Sequence, residues 1–166
     1  MSQHKNTTNL LQLNTTGLSK HKIVALNKYL DNTNAHIAAL AETHRIISDE
    51  EFPEYEIAQS CIEGGASLLI HKSLPCSEVL DLKTKDIDAV LCITQLERCP
   101  ILVGSVYIPP NKETKLKKFL KDLKKVKNTV EQTKSTVFWF LGTTTPDTQC
   151  GKTIKSTNMG NYWKTM

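Results

Sequence analysis

The sequence predicts an α/β domain, and three observations carry that prediction. Short apolar runs that end abruptly in polar or turn-forming residues recur along the chain, the signature of buried strands. Between the first two of them, Ile23, Leu26 and Leu30 fall at helical spacing behind Ser19, an expected N-cap. A Glu63-Gly64-Gly65 turn then separates two further runs as in a β-hairpin.

Composition sets the bounds. With 166 residues, 39% hydrophobic and 23% charged, the chain has the make-up of a single globular domain, taken as 1–166, with enough apolar residues for a core. The five cysteines form no Cys-x-x-Cys pair and are odd in number, which argues against a zinc module or a disulfide framework. They are expected to be reduced thiols. No apolar run reaches bilayer-spanning length, and the opening residues are polar, so no membrane association is expected. The expected location is intracellular, the nucleus included. The formal charge of +4 is modest, but eight lysines fall between Lys112 and Lys127.

In order, Leu10–Asn14 reads as a strand and Thr15-Thr16-Gly17 as a turn. The helix behind Ser19 closes near Asp31, and the run from Ala35 delivers Glu42 at its carboxyl end. A right-handed crossover would place Asn14 and Glu42 at one edge of one sheet, where open α/β sheets gather ligands. Hard divalent cations prefer such carboxylate oxygens, although a carboxylate can equally mark where a strand meets water. Arg45–Glu54 reads as a loop. Strands are predicted over Tyr55–Cys61, Ala66–His71, Glu78–Leu82, Ala89–Leu96 and Ile101–Ile108, the last two joined by a turn at Glu97–Pro100. Tyr107 stands just before Pro109-Pro110, which stop the ladder for want of N–H groups.

From Lys112 to about Val130, Leu116, Phe119, Leu120, Leu123, Val126 and Val130 repeat at helical spacing with lysines opposite. A solvated helix face is the plainer reading of those lysines, and a phosphate-backbone contact the sharper one. Thr136–Leu141 reads as an aromatic strand, 143–148 as a polar loop, and 158–163 as the start of a last helix.

Taken together, Leu-Gln-Leu-Asn-Thr-Thr-Gly-Leu at 11–18, Ala-Leu-Ala-Glu-Thr-His at 39–44, Gly-Gly-Ala-Ser-Leu-Leu-Ile at 64–70 and Ser-Val-Tyr-Ile-Pro-Pro-Asn at 105–111 resemble the endonuclease/exonuclease/phosphatase family, most of all the endonuclease domains of non-LTR retrotransposons. The resemblance implies a four-layer α/β sandwich, two mixed sheets packed face to face with helices outside, here incomplete at the C-terminal end. It implies magnesium-dependent hydrolysis of DNA phosphodiesters, with Glu42 holding the metal, Asn14 assisting at metal and phosphate, and Tyr107 contacting the phosphate. Where the family carries Gly-Asp-Phe-Asn, this chain has Gly142-Thr143-Thr144-Thr145, so Thr143 and Thr145 stand in place of the family's Asp and Asn. Threonine hydroxyls are neither bases nor anions near neutral pH. The family's closing Asp-His pair is absent, neither His44 nor His71 matches it, and Asp147 is too far along the chain to replace the missing Asp. The resemblance therefore implies an endonuclease of impaired activity with magnesium binding weak or lost. The alternative is a non-catalytic remnant, or a nucleic-acid-binding module using the lysine-rich helix.

Overall fold

A computed structural model describes residues 8–81, 87–96, 99–109, 119, 121–122, 124 and 138–141. Two four-stranded sheets carry the fold. The first, in spatial order β1-β2-β4-β3, is built from β1 (Asn9–Asn14), β2 (Ala35–Ala41), β3 (Tyr55–Ser60) and β4 (Ala66–His71). The second runs in order β5-β6-β7-β8 and comprises β5 (Cys76–Asp81), β6 (Asp88–Leu96), β7 (Cys99–Tyr107) and β8 (Phe138–Leu141). Both sheets are mixed: β1 pairs parallel with β2 and β7 parallel with β8, and the other pairings are antiparallel.

The sheets pack face to face because β2 and β4 are apolar on both sides, as strands covered on both faces must be. Ile37, Ala39, Ala41, Leu68 and Ile70 meet Val90, Cys92, Ile101 and Val103 between the sheets. On the opposite face of the first sheet, Ala38, Leu40 and Leu69 receive Ile23, Leu26 and Leu30 of helix α1 (Lys20–Thr33). Phe119, in helical conformation, is buried with Ile87, Ala89 and Val106 on the outer side of the second sheet. Two mixed sheets packed face to face with α1 outside the first are as expected, and among the described residues Phe119 marks the outer side of the second.

The ends of α1 follow the expected chemistry. Ser19 Oγ accepts the Lys22 N–H, and Asn34 closes the helix in the left-handed conformation with its N–H on Leu30 and Asp31 carbonyls. Two differences have local causes. The segment expected as plain loop contains a short 3-10 helix (Asp49–Glu51), set by a capping box in which Ser48 and Glu51 satisfy each other's backbone. The cysteines are not all reduced thiols: Cys76 and Cys92 are joined as a disulfide between the adjacent strands β5 and β6, while Cys61 is free. That pairing depends on a strand adjacency that cysteine spacing does not encode. Among the described residues no helix is long and apolar enough to cross a membrane. The polar segment 143–148, with Thr143 and Thr145, and the expected last helix at 158–163 lie outside the described residues, as does most of the lysine-rich segment expected as a helix.

Candidate active site

The parallel pairing of β1 with β2 sets Asn14 opposite Ala41, so Asn14 and Glu42 leave the sheet side by side. Asn14 Nδ2 donates to Glu42 Oε1 at 2.9 Å, and Asn14 Oδ1 accepts the Thr16 N–H at 3.0 Å. One amide thus caps the turn, as an Asn at a strand end commonly does, and also fixes a carboxylate. Thr15 Oγ1 donates to the carbonyls of Ala41 and Glu42, and Lys22 Nζ donates to those of Thr15, Thr16 and Gly17 at 2.7–3.1 Å. The loop that carries Asn14 past the sheet edge is therefore satisfied from both sides.

Tyr107 reaches the same end from the second sheet. Near it, Ser105 Oγ donates to the Leu40 carbonyl at 2.7 Å, a bond between the sheets two residues before both Tyr107 and Glu42. The Tyr107 phenol is held above the ordinary tyrosine range, first by burial and then by the negative charges of Glu42, Asp88 and Glu63. It is consequently a protonated hydroxyl, a donor, at neutral pH. The ring lies edge-on to that of His44, with centroids 6.5 Å apart. Its other neighbour is the backbone of Gly64, where any Cβ would drive into the phenol ring.

Asp88 is the residue that sequence reasoning missed. Its carboxylate is fully buried and accepts the backbone N–H groups of Ile62, Glu63, Gly64 and Gly65 at 2.6–2.9 Å, together with the Ser60 hydroxyl at 2.8 Å. Burial alone would push this carboxyl up; the four N–H donors outweigh it and hold the group below the usual carboxylate range. The loop so gathered passes the bond network on to the site, since the Gly64 carbonyl accepts from His44 N at 2.7 Å and the Gly65 carbonyl from Thr43 N at 3.4 Å. The available signal was the Gly64-Gly65 pair, whose free N–H groups need an acceptor.

Asn14, Glu42 and Tyr107 thus occupy one end of the sandwich, with His44 beside them. His71 lies at the far end of the first sheet with His36 and Tyr55. Among the described residues no group of three or more His, Cys, Asp or Glu side chains is arranged to hold a metal ion, and Glu42 is the carboxylate that meets Asn14.

Similarity to solved structures decides the fold's name. Danio rerio TDP2 complexed with single-strand DNA product superposes with a TM-score of 0.56 at 11% identity, over 82% of this chain and 60% of that one. The human nocturnin catalytic domain with bound sulfate gives 0.60 at 11%, over 82% and 64%. An endonuclease/exonuclease/phosphatase family protein from Bacteroides thetaiotaomicron gives 0.62 at 7%, over 82% and 63%. The fold is the endonuclease/exonuclease/phosphatase fold. This chain spans about three fifths of the length of those structures. No family model matches the sequence, and no curated protein does.

Proposed function

We propose that this chain carries a retroelement-type endonuclease site for DNA phosphodiesters whose catalysis is impaired. The observation that supports the reading is the Asn14–Glu42 hydrogen bond at the shared end of two parallel strands, with a protonated Tyr107 hydroxyl arriving there from the other sheet. DNA is the substrate suggested by the retroelement motifs, and a TDP2 of the same fold is complexed with single-strand DNA product.

A hard divalent cation fits the donor set in part. Glu42 supplies one carboxylate, with Oε1 already accepting from Asn14, so magnesium would be held weakly and would keep most of its water until a phosphate shared it. When bound, it would stabilise negative charge on the phosphoryl oxygens. Asn14 fixes the carboxylate, and through its bond from Thr16 its own amide is fixed. Tyr107 would donate to a non-bridging phosphate oxygen. Water activation is where the chain falls short, because Thr143 stands where the family has the Asp that orients and deprotonates it. Loss of a general base costs about 10²–10⁴ in rate. The reading is tested by measuring DNA binding and plasmid nicking with magnesium. Binding that weakens in a Glu42→Ala or Tyr107→Phe variant, with nicking near background, is the expected pattern; no binding by the unmodified chain would refute it.

A further inference from the structure

Three residues with a Cβ hold left-handed backbone conformations at this end of the molecule, Thr16 at φ +46°, Glu42 at φ +56° and His44 at φ +52°. None is glycine; histidine enters this region more often than glutamate or threonine, and left-handed residues with a Cβ gather at functional sites. Thr16 turns the loop that Asn14 caps, and the conformation of Glu42 belongs with its carboxylate; that of His44 serves neither. Its N–H is tied to the Gly64 carbonyl at 2.7 Å, and its ring lies between Tyr107 and Gly17, where an added Cβ would come 3.8 Å from Cδ2. His44 is exposed, and none of the side-chain hydrogen bonds among the described residues involves its ring nitrogens.

An anionic substrate approaching Glu42 needs donors to balance the carboxylate. Two nearby cations are committed elsewhere. Lys22 Nζ is taken by three turn carbonyls, and the Arg45 guanidinium holds Glu51 through both carboxylate oxygens at 2.8 and 2.9 Å. The His44 imidazole has an N–H to give and stands against the Tyr107 ring.

We infer that His44 is a phosphate-contacting residue of this site, its ring N–H donating to a non-bridging oxygen of a nucleic-acid phosphodiester beside the Tyr107 hydroxyl. The inference rests on the phosphodiester reading above and names a further residue that would touch the substrate. It also accounts for the backbone: an imidazole is kept where glycine would be more comfortable. A ring present only to pack against Tyr107 makes the opposite demand, since its removal would loosen the fold.

Replacing His44 by glycine separates the two roles. In the full chain, His44→Gly should raise the melting temperature by about 2–4 °C by relieving the left-handed conformation. The same variant should weaken binding of a labelled single-stranded DNA oligonucleotide, followed by fluorescence anisotropy with magnesium at low salt, by about tenfold, the loss of one charge-assisted hydrogen bond. In the unmodified chain the oligonucleotide should shift the His44 imidazole ¹⁵N resonances. His44→Asn, which tolerates the backbone and keeps a shorter donor, should bind between the two. Equal affinity in His44→Gly and the unmodified chain overturns the inference alone. So does a fall in melting temperature with the imidazole resonances unmoved. Absence of DNA binding by the unmodified chain overturns the phosphodiester reading, and the inference with it.

Discussion

Asp88 and Tyr107 are register partners across β6 and β7, and the Gly64 backbone touches both: its N–H reaches the Asp88 carboxylate at 2.9 Å, and its Cα leaves no room for a methyl group beside the Tyr107 ring. A buried anion in one strand thereby places a loop against a site residue in the next.

Removing that anion leaves four backbone N–H groups facing a void. Asp88→Ala should destabilise the fold by about 3–5 kcal/mol in denaturant titration, and Asp88→Asn, which keeps one acceptor oxygen, by less. The acid limb follows from the sign of the shift. Because the folded carboxyl lies below the unfolded value of about 3.9, its stabilisation is complete above about pH 5 and is lost as pH falls through the folded pKa. Denaturation midpoints at pH 7 and 5 should agree as far as Asp88 is concerned and drop below pH 4. Asp88→Asn should show a shallower acid limb.

Gly64→Ala tests the contact with Tyr107 from the other side. The new methyl cannot fit without moving the ring or the loop, so about 1–3 kcal/mol of destabilisation is expected, with loss of DNA binding. An alanine variant of unchanged stability, measured by thermal melting, would show that the ring yields freely and positions nothing.

Tyr107→Phe removes only a hydroxyl. Burial raises both this phenol and that of Tyr55 above the ordinary value of about 10, so in ultraviolet difference titration the unmodified chain should show one more such ionisation than the variant. Its melting temperature should stay within about 2 °C while oligonucleotide affinity falls about fivefold to tenfold, as for a lost donor to a charged group. Unchanged affinity would remove Tyr107 from the site.

The parts of the fold that were legible are those written in side-chain pattern. Ile23, Leu26 and Leu30 at helical spacing behind Ser19 gave α1. The ends of β1, β2 and β7 were readable because apolar runs stop at Asn14, Glu42 and Tyr107, and chain connectivity then brought the first two to one sheet edge. Asp88 was not legible, since the strand was expected to begin at Ala89 and the aspartate's partners are chiefly backbone groups 23–26 residues away, which leave no mark on residue type. The left-handed turn at His44 was hidden because a single histidine, though commoner there than most residues with a Cβ, does not by itself mark such a turn. The Ser48 capping box did stand in the sequence as Ser-Asp-Glu-Glu, but a single 3-10 turn has no apolar period to reveal it.

The central claim is that the site around Glu42 retains phosphodiester recognition while its chemistry is impaired by the threonines at 143 and 145. Plasmid nicking with magnesium, comparing the unmodified chain with Glu42→Ala, tests it most directly. The account predicts that the two are alike, neither above the rate without protein. Robust magnesium-dependent nicking that disappears in Glu42→Ala would contradict it and make the chain an active nuclease.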